Sequence, residues 1–158
     1  MINLGPKIKA PKGYVAMLVR NPKKAMKDWY QHKTEKDCEL NGDHAWIWKK
    51  IKGLFTYKSD SFDKWTIPDY TNPFEGDCED FALACRQKAV ELDVYGGRLL
   101  LCKERKLNAV AHCVFLLGDW VMDCRLDKPC DLKTFKEMYT LYAISSPALM
   151  GSWYRVEE

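Results

Sequence analysis

The sequence has no long apolar run. Its 158 residues begin with a stretch whose single apolar segment is residues 14–19, in a region broken by glycine and proline. That segment is too short for a membrane span and has the wrong flanks for a signal peptide. The sequence as it stands therefore predicts a cytoplasmic protein with no membrane-spanning helix.

Paired cysteine motifs are also missing. The seven cysteines are an odd number, and no two of them have C-x-x-C spacing. This pattern disfavours both a zinc knuckle and a disulfide framework, because both need paired cysteines at short or matched spacings. It predicts reduced thiols in a reducing compartment.

Aromatic residues are not interleaved with arginines, and the chain has no repeat or low-complexity tract. A nucleic-acid groove is therefore not predicted.

The net charge of +3 is unevenly distributed, because residues 1–36 carry +7 and the remainder carries −4. An acidic protein partner is the one class that this basic end favours. Length and a hydrophobic content of 47% predict one globular domain.

The most informative stretch is Gly-Asp-Cys-Glu-Asp-Phe-Ala at residues 76–82. Either Gly76 or Asp77 can cap a helix. From residue 81 onward, apolar residues recur at the spacings of four and three that are typical of a helix: Phe81, Cys85, Ala89 and Leu92. Cys78 falls in the first turn, where unpaired backbone N–H groups and the helix dipole favour a thiolate. The sequence therefore predicts a reactive nucleophile. The alternative is a small buried apolar residue.

The N-terminal third predicts mainly helices. After a loose lead, residues 14–20 form a short strand, a helix runs from Pro22 to His32, and a second starts at Asn41 or Asp43 and ends at Gly53. Both tryptophans of this second helix, at positions 46 and 48, are assigned to the core. Residues 57–75 are rich in Ser, Asp, Pro and Asn, which predicts a long loop before the cysteine helix.

Beyond that helix the pattern is that of strands. The pattern predicts strands at residues 98–103, 109–117 and 120–124. The Gly118-Asp119 turn joins the last two of these strands as a hairpin. Residues 132–138 predict a short helix, and 139–145 and 152–156 predict closing strands. The whole predicts an α+β fold with N-terminal helices and a cysteine-bearing helix packed on an antiparallel sheet.

The hairpin brings a histidine to an aspartate. A turn at Gly118-Asp119 pairs residue 117 with 120 and residue 114 with Asp123, which makes His112 and Asp123 diagonal neighbours on one face. Such neighbours lie roughly 7–8 Å apart at the backbone, within side-chain reach. A base oriented by a carboxylate is what a cysteine nucleophile requires. The alternative is a histidine whose hydrogen bonds are satisfied in the core.

These residues resemble the bacterial transglutaminase-like cysteine peptidases. The resemblance covers about residues 55–156. It rests on the Gly-Asp-Cys-Glu-Asp core, on Ala-His-Cys-Val at 111–114, on Trp-Val-Met-Asp at 120–123, and on further matches at Tyr57, Asp60, Trp65, Pro68, Tyr142, Ser145 and Trp153. The sequence departs from the family at Cys113, where alanine is common, and at Cys124.

The resemblance implies a papain-like or transglutaminase-like core with Cys78, His112 and Asp123 as the catalytic triad. It implies one peptidase domain over residues 1–158, with an N-terminal helical part at 1–54 and the catalytic core at 55–156. Family members are often periplasmic. Calcium supports activity in such proteases, and the acidic side chains that would bind it here are Asp77, Glu79 and Asp80. Hard oxygen ligands suit calcium, although acids in a first turn also stabilise a helix unaided.

The function that follows is a cysteine hydrolase, and within that class a peptidase acting on protein or peptide through an acyl-enzyme. The Cys78 backbone N–H is one expected oxyanion donor, and Trp65 is either the second or a packing residue. One alternative is a transglutaminase-type acyltransferase or deamidase, since an amine can replace water. Another is a non-catalytic binding module that retains the fold.

Overall fold

The computed structural model describes residues 2–34, 43–59, 65–106 and 109–157. The helices are α1 (Tyr14–Arg20), α2 (Pro22–Thr34), α3 (Asp43–Leu54), α4 (Cys78–Glu91) and α5 (Leu132–Met138). The strands are β1 (Asn3–Ile8), β2 (Phe55–Tyr57), β3 (Phe74–Gly76), β4 (Arg98–Glu104), β5 (Ala111–Leu117), β6 (Trp120–Met122), β7 (Cys130–Asp131), β8 (Tyr139–Ser145) and β9 (Trp153–Glu157). No helix in the described ranges has the length and hydropathy that crossing a bilayer demands.

Seven of the strands form one sheet in the order β1-β9-β8-β4-β5-β6-β7, and all neighbouring pairs are antiparallel. The remaining two, β2 and β3, form a separate parallel pair. Because helices cover parts of both faces, the sheet has two cores. The architecture is α+β, as the sequence predicts.

Side chains of β5 alternate between these two cores. Cys113, Phe115 and Leu117 pack in the cluster that contains α4, whereas Val114 and Leu116 pack in the cluster that contains α5. The alternation follows from the two-residue period of a strand. An almost continuous apolar run therefore marks β5 as a central strand covered on both faces.

The N-terminal segment differs from the prediction in two places. Residues 14–20, predicted as a strand, form helix α1, because Tyr14 and Met17 are buried at a helical spacing of three. The Tyr14 hydroxyl donates to the Leu149 carbonyl at 2.8 Å. The lead before α1 is not loose either, since residues 3–8 form β1 at the edge of the sheet. An edge strand tolerates Pro6, which has no N–H to donate.

Helix α2 is attached to the body of the protein by a buried ion pair. Asp28 Oδ1 lies 2.7 Å from Arg86 Nη1 on α4, and Asp28 Oδ2 accepts from Arg86 Nη2 at 2.8 Å and from the Leu149 N–H at 2.7 Å. Arg86 also donates to the Pro147 carbonyl. Both charged side chains are almost completely buried. The network therefore ties α2, α4 and the β8–β9 connection together.

Helix α3 begins at Asp43, and the alternative start at Asn41 lies outside the described residues. Of its two tryptophans, Trp48 packs against the core, but Trp46 is 50% exposed, so its assignment to the core was wrong. Trp46 lies on the outer face of α3, where the Lys88 ammonium approaches its ring at 5.2 Å. The buried face of α3 is formed by Ile47 and Ile51 instead.

The segment predicted as a loop, 57–75, is bounded by strands. Its first residue ends β2, and β3 covers its last two residues and Gly76. Pairing of β2 with β3 brings the end of α3 beside the start of α4. Asp60 lies outside the described residues.

Candidate active site

The start of α4 is fixed by two carboxylates. The Asp80 N–H donates to Asp77 Oδ1 at 3.4 Å, and the Asp77 N–H donates to Asp80 Oδ2 at 3.0 Å. This reciprocal capping box makes Asp77 the N-cap. A Cβ at Gly76 would overlap the Asp80 side chain, so glycine is required there for the box to close. The motif therefore places Cys78 at the first helical position.

Cys78 lies against strand β5, where its thiol accepts a hydrogen bond from the Cys113 backbone N–H. Burial, followed by the Glu79 and Asp77 carboxylates, raises the pKa of the Cys78 thiol to about 12. The expectation that the helix start favours a thiolate was therefore wrong for the resting protein. Desolvation and the adjacent negative charges outweigh the hydrogen bond from residue 113, which lowers the thiol pKa.

The β5–β6 hairpin has the predicted register. Leu117 pairs with Trp120, and Gly118 takes the left-handed conformation, with φ 61°, that the tight turn needs. At the far end His112 Nε2 lies 2.6 Å from Asp123 Oδ1. Both side chains are buried, at 2% and 0% exposure. A short hydrogen bond that is shielded from solvent holds the imidazole in one orientation.

Further contacts hold the pair in place. The Arg125 N–H donates to Asp123 Oδ1 at 3.0 Å, and the Tyr139 ring stacks on the His112 ring with centroids 5.9 Å apart. Lys52 of α3 donates to the Cys124 carbonyl, directly after Asp123. The position of Asp123 is therefore set from both sides of the sheet.

The second ring nitrogen of His112, Nδ1, is the atom of this pair that can act as a base. His112 Nδ1 is buried and, among the described residues, has no hydrogen-bond partner, so the resting structure has no bond between it and Cys78. In the tautomer in which Nε2–H donates the hydrogen bond to Asp123, Nδ1 is unprotonated and its lone pair can accept a proton. Catalytic hydrogen bonds often tighten only when substrate binds.

The three acidic residues differ in their surroundings. Asp77 and Asp80 each give one oxygen to the capping box, and Asp80 Oδ1 is buried with no hydrogen-bond donor within the described parts of the chain. Burial, together with the Asp77 charge, raises the pKa of Asp80 to about 7. A buried carboxylate oxygen that has no donor and lies beside a second carboxylate suits a hard cation. Asp77 and Asp80 thus fit calcium, with Glu79 as the adjacent third carboxylate.

The remaining candidates have packing roles. Trp65 is 2% exposed and makes edge-on contacts with Tyr14 and Trp153, which favours the packing alternative. The six described cysteines are free, and Cys85, Cys102 and Cys113 are buried in the two cores.

Sequence reasoning missed two residues beside the histidine–aspartate pair. Cys124 is buried in the cluster that contains α4, and one ligand atom from each of His112, Asp123 and Cys124 lies within 4.8 Å of the others. Lys52 comes from a helix far away in sequence. The position of Cys124 directly after Asp123 was a usable signal, whereas nothing in the sequence marks Lys52.

The raised thiol pKa gives a testable result. Alkylation of Cys78 by iodoacetamide should rise about tenfold per pH unit between pH 7 and pH 10 without a plateau, because the thiolate fraction follows a pKa near 12. Glu79→Gln should increase the rate at each pH, since one opposing charge is removed. Mass spectrometry of the labelled peptides measures both.

The protein used for this measurement carries serine at two other cysteine positions, so that their thiols do not react. Cys130 is the other partly exposed cysteine of the described residues, and Cys38 lies outside them, so both are replaced by serine. A plateau below pH 9, or a slower rate in Glu79→Gln, would show that the carboxylates do not control the thiol.

Comparison with known proteins supports the fold. No family model and no curated protein matches the sequence. Among solved structures, the chain is similar to Legionella pneumophila LapG, with 18% identity, a TM-score of 0.57, and coverage of 89% of this chain and 85% of that one. It is equally similar to EGTA-treated Legionella pneumophila LapG, at 18% identity and TM-score 0.57, with 89% and 83% covered. The chain therefore has a LapG-like, transglutaminase-like α+β fold.

Proposed function

We propose that the protein is a cysteine hydrolase, specifically a peptidase, that forms an acyl-enzyme on Cys78. The observation that carries the proposal is the buried bond between His112 Nε2 and Asp123 Oδ1, which leaves Nδ1 free to act as a base. The Cys78 thiol accepts a hydrogen bond from the backbone N–H of residue 113, which follows this histidine in the sequence. Nucleophile, base and orienting carboxylate are thus contributed by α4, β5 and the end of β6.

In the first step the proton and the nucleophile move together. A thiol whose pKa is about 12 is not ionised at neutral pH, and His112 Nδ1 has no bond to it in the resting structure. We therefore infer that substrate binding brings the two side chains together, and that His112 Nδ1 then takes the Cys78 proton as sulfur attacks the substrate carbonyl. Asp123 stabilises the imidazolium that forms. The Cys78 backbone N–H, unpaired within the helix because it lies in the first turn, donates to the developing oxyanion.

Collapse of the tetrahedral species releases the amine half of the peptide, which takes the proton from His112. Water then attacks the thioester with His112 again as base, and the acid is released. An amine in place of water would give acyl transfer, with the same residues in the same roles. Hydrolysis and transfer therefore differ only in the second nucleophile.

A proteome-derived peptide library tests the proposal. Wild type should generate new peptide termini that Cys78→Ala does not, while both proteins melt at similar temperatures. A biotinylated amine in parallel detects transfer: incorporation without cleavage would replace the peptidase by an acyltransferase. If neither reaction occurs, and an acyl-directed thiol probe fails to label Cys78, the fold serves as a binding module.

Calcium is part of this proposal. Asp77, Glu79 and Asp80 would hold the ion, and its charge would lower the thiol pKa and fix the start of α4. One of the two similar structures is of an EGTA-treated protein, and EGTA is a calcium chelator. The capping box already orders two of these carboxylates, so the ion would meet a partly formed site.

The calcium proposal predicts a shift in stability. Calcium at 100 times its dissociation constant should add about 2.7 kcal/mol to the free energy of unfolding, raising the melting temperature, and should speed Cys78 alkylation. Chelator should lower activity, and magnesium should substitute poorly because it demands tighter octahedral geometry. Asp119→Asn, in the exposed hairpin turn, is a matched control. Unchanged melting and activity across chelator and millimolar calcium would leave the acids as helix caps alone.

The substrate and setting follow from the same residues. A peptidase of this fold acts on protein or peptide, and the free cysteines suit a reducing compartment such as the cytoplasm. The exposed lysines of α2, at positions 23, 24 and 27, offer a surface for an acidic partner.

A further inference from the structure

Cys124 lies beside the histidine–aspartate pair but has no part in the proposed reaction. One ligand atom each of His112, Asp123 and Cys124 lies within 4.8 Å of the other two, and all three residues are buried. Their donors are an imidazole nitrogen, a carboxylate oxygen and a thiol sulfur. This mixed set is unlike the three carboxylates at the start of α4, where all the donors are oxygen.

Two atoms in this group lack partners. His112 Nδ1 and Asp123 Oδ2 are buried and, within the described part of the chain, accept no hydrogen bond. Buried polar atoms are usually satisfied, and an exception calls for an explanation such as an ion. The two side chains are 2% and 0% exposed. A ligand that bonds to either of them would relieve a real desolvation cost.

We propose that His112, Asp123 and Cys124 form a zinc-binding site that shuts off the candidate active site. Zinc takes nitrogen, oxygen and thiolate sulfur at about 2.0–2.3 Å in a tetrahedron, which separates ligand atoms by about 3.3–3.8 Å. The observed limit of 4.8 Å is close enough for side-chain adjustment to complete the site. Water, or a fourth side chain, completes the coordination.

The chemistry of the donors selects the metal. A thiolate and an imidazole are softer ligands than carboxylate or carbonyl oxygen, so the set favours zinc over calcium or magnesium. Lys52 and Arg125 are the cations nearby, since the Lys52 ammonium donates to the Cys124 carbonyl and both positive charges act to lower the pKa of the Cys124 thiol. The Asp123 carboxylate and the Cys124 thiolate supply two negative charges, which match the charge of the zinc ion, and Glu104 forms an ion pair with Arg125.

Metal binding and catalysis exclude each other at this site. His112 Nε2 and Asp123 Oδ1 are 2.6 Å apart, too close for both atoms to bind one ion, so the hydrogen bond must open when zinc enters. The zinc-loaded protein then has neither an oriented base nor a free lone pair. Zinc binding itself is independent of the proposed function, whereas inhibition rests on it.

Metal binding is measured without substrate. Wild type, Cys78→Ala, Cys124→Ala and Cys130→Ala are titrated with Co²⁺, whose sulfur-to-metal charge-transfer band reports a thiolate ligand, and then with Zn²⁺ as competitor. Calcium is present throughout to occupy oxygen sites. Wild type, Cys78→Ala and Cys130→Ala should bind one metal and show the band. Cys124→Ala should lose the band and bind zinc at least about 100-fold more weakly, since outer partners alone contribute 10- to 100-fold.

The outcomes separate this site from a simple block of the nucleophile. If Cys78→Ala loses the band while Cys124→Ala keeps it, zinc bridges Cys78 and the proposal is overturned. X-ray absorption of zinc-loaded Cys78→Ala gives a test that does not depend on how Cys124→Ala folds. One sulfur at about 2.3 Å with nitrogen and oxygen ligands is expected, and a shell without sulfur overturns the site.

Activity gives the last comparison. Zinc should inhibit wild type and Cys130→Ala, whereas the rate of Cys124→Ala, relative to its own rate without metal, should not fall as zinc is added. Equal inhibition of wild type and Cys124→Ala contradicts the proposal. A protein without peptidase activity would overturn the proposed function, yet the titrations would still decide whether the zinc site exists.

Discussion

Replacing His112 with alanine is expected to lower turnover by on the order of 10⁵- to 10⁶-fold, because a thiol with a pKa near 12 has no other group to take its proton. Asp123→Asn should cost less, about 10⁴-fold, since the base remains while its orientation and the stabilisation of its charge are lost. Steady-state kinetics on a peptide from the cleavage screen measure both values.

Folding must be checked in the same variants, because both side chains are buried. Asparagine keeps the shape of Asp123 and can still accept the Arg125 N–H, so cooperative melting is expected. Asp119→Asn, at the exposed turn of the same hairpin, should keep the full rate. A structural role for the pair would give the opposite pattern, with Asp123→Asn unfolded and His112→Ala fully active.

The largest effect on stability is expected at Arg86. Arg86→Leu leaves the Asp28 carboxylate buried at 3% exposure with only His32, at 3.5 Å, and the Leu149 N–H as partners among the described residues. Loss of the arginine charge should lower the free energy of unfolding by about 3–5 kcal/mol. That is a large part of the roughly 5–15 kcal/mol that a domain has in total. Urea unfolding followed by circular dichroism measures the loss.

Two comparisons isolate the ion pair. The double variant Asp28→Asn with Arg86→Leu should recover part of the stability, because no buried charge remains. Glu75→Gln removes an exposed ion pair with Lys58, whose side chains are 62% and 72% exposed, and should change stability by less than about 1 kcal/mol. An Arg86→Leu variant as stable as Glu75→Gln would mean that burial, and not charge, holds α2.

Local sequence signals predicted the parts of the fold that local physics determines. The cap at Asp77, the tight turn at Gly118 and the near-continuous apolar run of β5 each specify a conformation within a few residues. Strand β1 could not be predicted in this way, because it is stabilised by pairing with β9 at the other end of the chain. The apolar run of α1 fits a strand or a helix equally well, and only the core contacts of Tyr14 and Met17 decide.

The candidate site shows the same division. Hairpin register alone made His112 and Asp123 neighbours, because strand pairing carries the geometry from the turn. The thiol pKa could not be predicted from the helix start, since it depends on how deeply Cys78 is buried against β5. The same holds for Lys52, which reaches the pair through packing of α3 against the sheet.

The pairing of β1 with β9 also sets an order of events during protein synthesis. Asn3 pairs with Glu157, and ribosomes add about 5–20 residues per second, so the first strand waits roughly 8–30 s for its partner. Cys78, His112 and Asp123 all emerge before β9, and β4, β5 and β6 are neighbours both in sequence and in the sheet. The nascent chain can therefore assemble the candidate active site while the sheet is still open at the β8 edge. That edge is the surface a chaperone would have to shield until β9 has been synthesised.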